Sequence, residues 1–476
     1  MHTHNANGDS SLSPWRLSFW LRVREFAVPP SLIETATARR RVGDWAGACA
    51  AAGVDVDLSL RSVAGTHGRA LAAQVRSDLR QLAPDLLRWH MPRIAPDGLL
   101  RPGLTIALAR YDTAERDGPG PVHLVVRTPP AWADAGQRIS LGLWDGSHSE
   151  AAARRHPHPR PSRRFRLDLH RHLWDASRAA ELRIRSGADR PAEPEHLVPE
   201  PELLKTVPHW HRCAVDRWAA EAGIVLRAEG RQGPTGSVLV RLGGRHRLVL
   251  DVNLRGQFSA VRLADGARST RAYGSALPVL PDAGTWVPPD LELLRTGSIE
   301  ADRLHPLVAA ALVPDHSPGP AGAAEPRGHP RLVECRGSRH RIGLVDGVLA
   351  PLDHEPAEIR REELLVALTG TPLPCLQAID EAHRRPDCLT GVRERLDHGD
   401  IAGALAVVEG LLGPDAALRD GPLRDELEAA AERRITYGLF RAGLIGPEDP
   451  PARVRPRDDR RRPRARRLRL RQATFY

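Results

Sequence analysis

The chain has 476 residues, a hydrophobic share of 41% and a formal net charge of +10, with 41 Gly and 42 Pro marking many turns and linkers. This length predicts two to four domains, each able to bury a core, and the hydrophobic share excludes a chain that is disordered throughout. No apolar run approaches the roughly 18 residues needed to cross a bilayer, so no membrane partner is expected.

The positive charge is unevenly placed. Lys205 is the single lysine, so 68 of the 69 basic residues are arginine, a bias that points to a GC-rich bacterial genome. Residues 451–476 carry eleven arginines against two aspartates, a balance of +9 that leaves about +1 for the first 450 residues. Attraction to a polyanion is therefore expected from this tail and not from the body. Five cysteines (Cys49, Cys213, Cys335, Cys375 and Cys388) form no C-x-x-C, which predicts reduced thiols in a cytoplasm. The opening "MHTHNANGDSSLSPWRL" has neither a basic nor an apolar leader segment, so no signal peptide is predicted.

In chain order, residues 1–13 are polar and read as a disordered N-terminus. "WRLSFWLRV" alternates Trp15, Leu17, Phe19, Leu21 and Val23, which predicts a strand. "SLIETATARRRVGDWAGACAAAG" reads as helical, with Ser31 and Glu34 in capping-box spacing, and a further helix is expected over 66–89. Together these make a first region, 14–99, of an N-terminal strand plus a helical hairpin. Residues 100–190 read as a β-rich domain built from "TIALARY", "VHLVVRT", "RISLGLWDG", "RFRLDLH" and "ELRIRS". Residues 191–312 read as an α+β domain: a helix near "CAVDRWAAEAG", then an antiparallel meander from "IVLRAEG", "SVLVRLG", "HRLVLDV" and "FSAVRLA". A Pro-rich connector (277–289) and a helix over "DLELLRTGSIEADRLHPLVAAAL" complete it, and 313–330 is a linker. Residues 331–355 predict a β-hairpin, 356–445 a helical domain, and 446–476 the Arg-rich tail. In the helical domain, Leu396, Ile401, Leu405, Val408, Leu411 and Leu412 are expected to line one buried face. The fold class is α+β: several small domains, an antiparallel β-rich middle, a helical C-terminal domain and a disordered or loosely docked basic tail.

One pattern occurs twice. "GDWAGACAAAG" (43–53) and "GDIAGALAVVEG" (399–410) share G-D-x-A-G-A, each after an arginine-rich helical stretch. Asp44 and Asp400 are expected to cap the second helix of a tight pair, and the small residues let it pack closely. Each copy resembles one hairpin of a tetratricopeptide-type repeat. The copies lie 356 positions apart, however, so the stacked array that makes a superhelical groove is not expected.

Several chemistries are excluded by motif. A P-loop needs a lysine after a glycine-rich turn to reach the β and γ phosphates, and Lys205 sits in "ELLKTVP" without those glycines. No nucleotide is expected through a P-loop, so the helicase-like letters of "AIDEAHRR" read as a solvated helix face bearing Asp380 and Glu381. G-x-S-x-G, H-E-x-x-H and G-x-G-x-x-G are absent from the sequence. Cys375 and His383 lie two helical turns apart, too far for a thiolate–imidazole pair, so Cys375 reads as a core residue. Trp132, Trp144, Trp174, Trp210 and Trp218 read as core or hairpin anchors.

Two sets of candidate site residues remain. The H-x-H pairs are His156/His158, His170/His172 and His209/His211, and such pairs share a face on a strand. The sharpest is "HWHRC", where His209, His211 and Cys213 offer donors suited to zinc; "HPHPRP" reads as a loop and "LHRHLWD" as a strand end in solvent. The second set is the tail, where Arg460, Arg461, Arg462, Arg464, Arg466, Arg467, Arg469 and Arg471 supply a dense cationic contact for nucleic acid. Two rival readings stand beside it: "RLRLRQATFY" alternates Leu468 and Leu470 as a docked edge strand would, and a shifted reading frame in a GC-rich gene also yields Arg/Pro strings. The functional expectation is a non-catalytic cytosolic adaptor or regulatory subunit acting through contacts with an unknown protein partner. The alternatives are a nucleic-acid binder using the tail and a metal-dependent hydrolase using the His-x-His pairs. No catalytic residue and no cofactor other than zinc is singled out.

Overall fold

A computed structural model describes residues 14–112, 120–146, 156–189, 213–231, 233–242, 247–253, 258–263, 277–316, 331–335, 338–345, 348–351, 353–355, 357–361, 374–376, 389–412, 421–446 and 474–475. The chain divides into two units. The first comprises Met1–Ala131, Arg138–Ser317 and Leu468–Tyr476; the second comprises Trp132–Gln137 and Pro318–Arg467. Both mix helix with small, mostly antiparallel sheets, so the fold is α+β.

The first unit opens with a correction. "WRLSFWLRV" forms a helix, α1 (Pro14–Phe26), not a strand. The alternation could not accommodate Trp20. In helical phase Phe19, Trp20, Val23 and Arg24 all fall on the buried side, and Pro14 suits a first helical position. The capping box expected at Ser31 is also absent. Helix α2 (Pro30–Arg41) starts one residue earlier, with Pro30 in its first turn and no side-chain cap, and Ser31 lies inside it. Then come α3 (Trp45–Ala51), strand β1 (Val54–Val56), α4 (Leu60–Gln81) and α5 (Pro84–Trp89). What the sequence suggested as one helix over 66–89 is thus two. Ser59 caps α4 from outside, Gly68 kinks it at φ +86°, and Pro84 forces a new start.

Strands β2 (Arg93–Ile94) and β3 (Leu99–Leu100) pair in a short ribbon, followed by β4 (Thr105–Tyr111), β5 (Val122–Arg127) and β6 (Ile139–Trp144). The main sheet has the order β1-β6-β5-β4, with β1 parallel to β6 and the remaining pairs antiparallel. Its strands are buried along nearly their whole length because helices and loops cover it. "RFRLDLH" does turn Phe165 and Leu167 inward as its alternation predicts, but its pairing is a single bridge, Ala107 to Arg166. "ELRIRS" departs further: it is a short helix, α6 (Leu182–Ser186), ended by Gly187 in the left-handed region. The i, i+4 pair Leu182 and Ser186 is buried, and Ile184 faces out.

"IVLRAEG" continues the preceding helix instead of beginning the meander, giving α7 (Val215–Ala228). Trp218, Ala222, Val225 and Leu226 on α7 pack against a three-stranded antiparallel sheet of β7 (Thr235–Arg241), β8 (Arg247–Asn253) and β9 (Phe258–Leu263). The Pro-rich connector holds a one-turn helix, α8 (Asp282–Thr285), and the long helix expected after it is broken into α9 (Pro289–Arg295), a 3-10 turn and α10 (Pro306–Leu312). Gly297 and the prolines account for the breaks. At the far end of the sequence, β13 (Thr474–Phe475) joins the β2–β3 ribbon, Thr474 opposite Ile94 and Phe475 opposite Arg93. Leu468 and Leu470, on which the docked-strand reading of the tail rests, lie outside the described residues.

In the second unit, β10 (Arg331–Cys335), β11 (Ser338–Val345) and β12 (Val348–Pro351) make a three-stranded antiparallel sheet, one strand more than the expected hairpin. Helices α11 (Leu389–His398), α12 (Ile401–Leu412) and α13 (Pro422–Ala442) enclose a small core of Val392, Leu396, Ala404, Val408 and Leu423. Leu405, expected inside, is 41% exposed, while the side chains of Leu411 and Leu412 lie outside the described residues.

The repeated pattern builds the same corner in each unit. Gly43 and Gly399 take φ of +77° and +86°, which only glycine adopts without strain. Asp44 accepts from the Gly47 amide at 2.8 Å, and Asp400 accepts from the Gly403 amide at 2.9 Å. A Cβ at either Gly47 or Gly403 would sit 2.1 Å from the capping carboxylate, so the second glycine of the pattern is required. Arg39 and Arg395, five residues before each aspartate, donate back to it at 3.3 and 2.8 Å.

Candidate functional site

The first unit buries several charged and polar side chains, and a few of them border one cleft. Arg24, one turn after Trp20 on α1, points inward and meets Asp290 of α9. Its Nε and Nη2 donate to the two carboxylate oxygens at 2.6 and 2.9 Å. Nη1 donates to the Trp89 carbonyl at 2.8 Å, and the Trp89 indole donates to Asp290 at 2.9 Å. The guanidinium carbon lies 4.2 Å from the Trp89 ring centre and 5.1 Å from that of Trp20, so the cation is sandwiched as well as paired. Burial pulls the Arg24 pKa down from its usual value, and the Asp290 carboxylate works against that.

Beside this pair, His305 and Asp85 form a second buried couple at 3.0 Å. His305 Nδ1 accepts from the Leu307 amide, which places the proton on Nε2 and makes it the donor to Asp85. Burial raises the Asp85 carboxyl, but the bond to His305, the nearby His305 and Arg40 charges and a backbone bond together more than offset it and leave it below the usual carboxylate range. A third group joins α6 to α7. Arg185 donates from Nε and Nη2 to the two oxygens of Glu221, both at 2.7 Å, and from Nη2 to His170 Nδ1 at 3.1 Å. Burial pushes His170 down to about 4, so the ring is neutral despite the nearby Glu221 carboxylate.

The space between these groups is small, about 20 Å³ for the centre of a water-sized guest. Trp20, Trp89 and Trp286 supply aromatic walls, and Pro288 and Pro289 close one end. His90, at the end of α5, and His172, in a 3-10 turn, also line it. Burial, reinforced by nearby arginine and histidine charge, lowers both imidazoles well below their usual pKa, so both are neutral at pH 7. Among the described residues His90 Nε2, His172 Nδ1 and the Trp20 indole nitrogen find no hydrogen-bond partner. Arg24 and Arg185, also in the wall, are already engaged by carboxylates.

The His-x-His reading fares unevenly. His170 and His172 were expected in solvent at a strand end; both are instead buried, with ring centres 5.6 Å apart, because Leu173 and Trp174 carry the turn into the core. His156 is buried too. Its Nδ1 accepts from the His158 amide, so Nε2 donates to the Thr128 carbonyl at 2.9 Å, and only His158 faces out. His209 and His211 lie outside the described residues; Cys213 is half-buried against the α7 core, its backbone bridged to Trp286. Among the described residues no group of three or more His, Cys, Asp or Glu side chains is placed to hold a metal ion. The eight tail arginines, Asp380, Glu381, His383 and Cys388 also lie outside the described residues, whereas Cys375 is buried. Trp174 and Trp218 are core anchors as expected, Trp132 and Trp144 are half-buried, and Trp210 lies outside the described residues.

A different kind of surface occurs in the second unit. On α13, Ala431, Ile435, Gly438 and Ala442 follow one another at spacings of four, three and four, and all four are exposed. Ile435 is 63% exposed and Leu444, just beyond the helix, 71%. Such spacing lays them along one side of the helix, opposite the buried Thr436 and Tyr437.

No protein-family model, no curated protein and no solved structure matches the chain. Among the described residues no helix is long and apolar enough to cross a membrane.

Proposed function

We propose that this chain is a non-catalytic adaptor or regulatory subunit of the bacterial cytosol, acting through protein–protein contacts made by its second unit. The observation that carries this reading is the exposed apolar line on α13, centred on Ile435. A β-branched side chain held out in water on a folded helix gains by burial against a partner, and glycine and alanine on either side allow a second backbone to approach closely. The fitting partner is an amphipathic helix of another protein, seated with its apolar face on Ile435 and its acidic side toward the exposed Arg434.

The test is affinity capture from the native host with the full chain, compared with Ile435→Asp and with Val42→Asp, which alters a still more exposed apolar side chain of the first unit. The account expects a partner retained by wild type and by Val42→Asp and lost with Ile435→Asp. Equal capture by all three forms, or turnover of a substrate by the isolated chain with nothing captured, overturns it.

The charge distribution supports a second, separable activity, retention of nucleic acid by residues 451–476. If about eight arginines meet phosphates, affinity on duplex DNA falls with salt at a log–log slope near −7, and removing the tail abolishes it. A slope near zero discards this reading.

A further inference from the structure

The chain outside its tail is close to neutral, yet one place in the first unit gathers arginine. Asp282, at the start of α8 and 1% exposed, receives Arg164 from the loop before Phe165. The Arg164 Nε lies 2.7 Å from both carboxylate oxygens, and Nη2 lies 2.7 Å from one of them. The Asp282 amide donates back to the Arg164 carbonyl at 3.0 Å, so backbone as well as charge fixes the pair. The Leu280 amide donates to the Leu239 carbonyl at 2.9 Å, which draws in the end of β7 and its last residue, Arg241. Arg247, the first residue of β8, stands opposite Arg241 in the hairpin register. Arg101, just after β3, completes the set. Its carbonyl accepts from the Thr128 hydroxyl at 2.7 Å, and its charge reaches both Arg164 and Asp282.

Three guanidiniums thus act on one carboxylate, a fourth acts on Arg241, and all four arginines are half-buried. Like charges crowded in this way repel, and burial removes the water that would screen them. Burial pulls the pKa values of Arg101 and Arg241 down, and the neighbouring Arg164 charge pulls them further. Asp282 balances one positive charge and is already engaged by Arg164. A multiply charged anion would relieve the repulsion that remains.

The same groups define what fits. A guanidinium fork meets two oxygens at once, which suits a phosphoryl group. Arg101, Arg164 and Arg241 converge on one point and do not follow a line, so a compact anion matches them better than the evenly spaced phosphates of a duplex. We propose that Arg101, Arg164, Arg241 and Arg247 bind the phosphoryl groups of a small molecule with two or more adjacent negative charges, as in a diphosphate. Arg164, anchored by Asp282, is the fixed member of the site. The α13 contact line plays no part in it.

The experiment titrates the full chain in about 20 mM salt with inorganic pyrophosphate, inorganic phosphate, acetate and a short DNA duplex. Heat of binding and thermal unfolding are the readouts. Pyrophosphate should bind with a Kd below about 1 mM and raise the melting temperature, phosphate should bind more weakly, and acetate should not bind. Arg241→Gln and Arg101→Gln should each raise the pyrophosphate Kd about tenfold, for the loss of a charge-assisted hydrogen bond. Without ligand neither variant should melt below wild type, because each removes a charge that its neighbours repel. Changing Arg460, Arg461, Arg462 and Arg464 together to Gln tests the tail, and this form should bind pyrophosphate as wild type does. Absence of pyrophosphate binding overturns the proposal, and so does acetate binding as well as pyrophosphate. Binding that the tail variant loses and both cluster variants keep overturns it too, as does a clear loss of stability in both unliganded cluster variants. Duplex binding that Arg241→Gln weakens and pyrophosphate fails to displace would assign the cluster to nucleic acid instead.

Discussion

The corner at Gly43–Asp44 and the corner at Gly399–Asp400 are alike bond for bond, yet the helices they start have different surroundings. In both, the capping amide, the left-handed glycine and the returning arginine follow from the local pattern. In the first unit α3 runs seven residues, and Ala48, Cys49 and Ala52 are fully buried beside β1. In the second unit α12 runs twelve residues and packs, among the described residues, over a core of five, with Leu405 left partly in water. The local pattern thus sets the turn, while the surrounding chain decides whether the turn ends in a closed scaffold or an open surface. The same contrast extends to charge. The first unit holds buried ion pairs such as Arg24–Asp290 and Arg185–Glu221, whereas in the second Arg424 and Glu428 pair on an exposed helix face.

That contrast can be broken by mutation. The largest effect is expected from Asp290→Ala, which leaves Arg24 buried without its carboxylate and should cost about 3–5 kcal/mol in urea unfolding. Arg424→Ala, which removes an exposed pair, should cost at most about 0.5 kcal/mol. Similar costs for the two would erase the distinction between the units.

Acid should separate them next. His90, His170 and His172 are held neutral in the folded first unit, with His170 at about 4, below the usual value near 6.5. Between those limits the unfolded chain binds protons that the folded chain refuses, so stability is fully present above about pH 6.5 and falls as pH drops toward 4. Each such ring contributes a slope of up to about 1.4 kcal/mol per pH unit in that window. Thermal unfolding followed from pH 7 to pH 5 should show this decline, and His172→Gln should make it shallower. A flat profile would mean that these rings are accessible to protons in the folded state.

Smaller effects sharpen the comparison. Asp44→Ala and Asp400→Ala each remove one N-cap and should each cost about 1 kcal/mol, because the corner is local. Unequal costs would show that surroundings contribute to the cap itself. Ile435→Asp should change stability by no more than about 0.5 kcal/mol, since that side chain already stands in water.

Much of the fold was legible where periodicity was unambiguous. Strands β4 to β9, the first half of helix α7 and the doubled corner could all be read from residue pattern. "WRLSFWLRV" misled because a run apolar at six of nine positions satisfies strand and helix templates alike, and only Trp20 breaks the tie. "ELRIRS" misled because six alternating residues cannot reveal a glycine-terminated turn of helix that packs only at i and i+4. The cleft was not legible. Arg24 and Asp290 lie 266 residues apart, so neither looks like a core residue until α1 is placed in helical phase. One faint signal did exist: Arg24 follows Trp20 by four positions in a mostly apolar helix, the spacing that puts a charge on the buried side. His170 and His172 drew attention for metal chemistry, whereas burial makes them neutral members of a packed network.

Hydrogen exchange of the intact chain, read by mass spectrometry, tests the closed-versus-open contrast most directly. Amides from Ala48 to Ala52 should exchange at least about a hundredfold more slowly than those from Ala404 to Val408, because opening α3 requires opening the first unit's core while α12 opens over a small one. Equal protection of the two helices, or faster exchange in α3, would contradict the account.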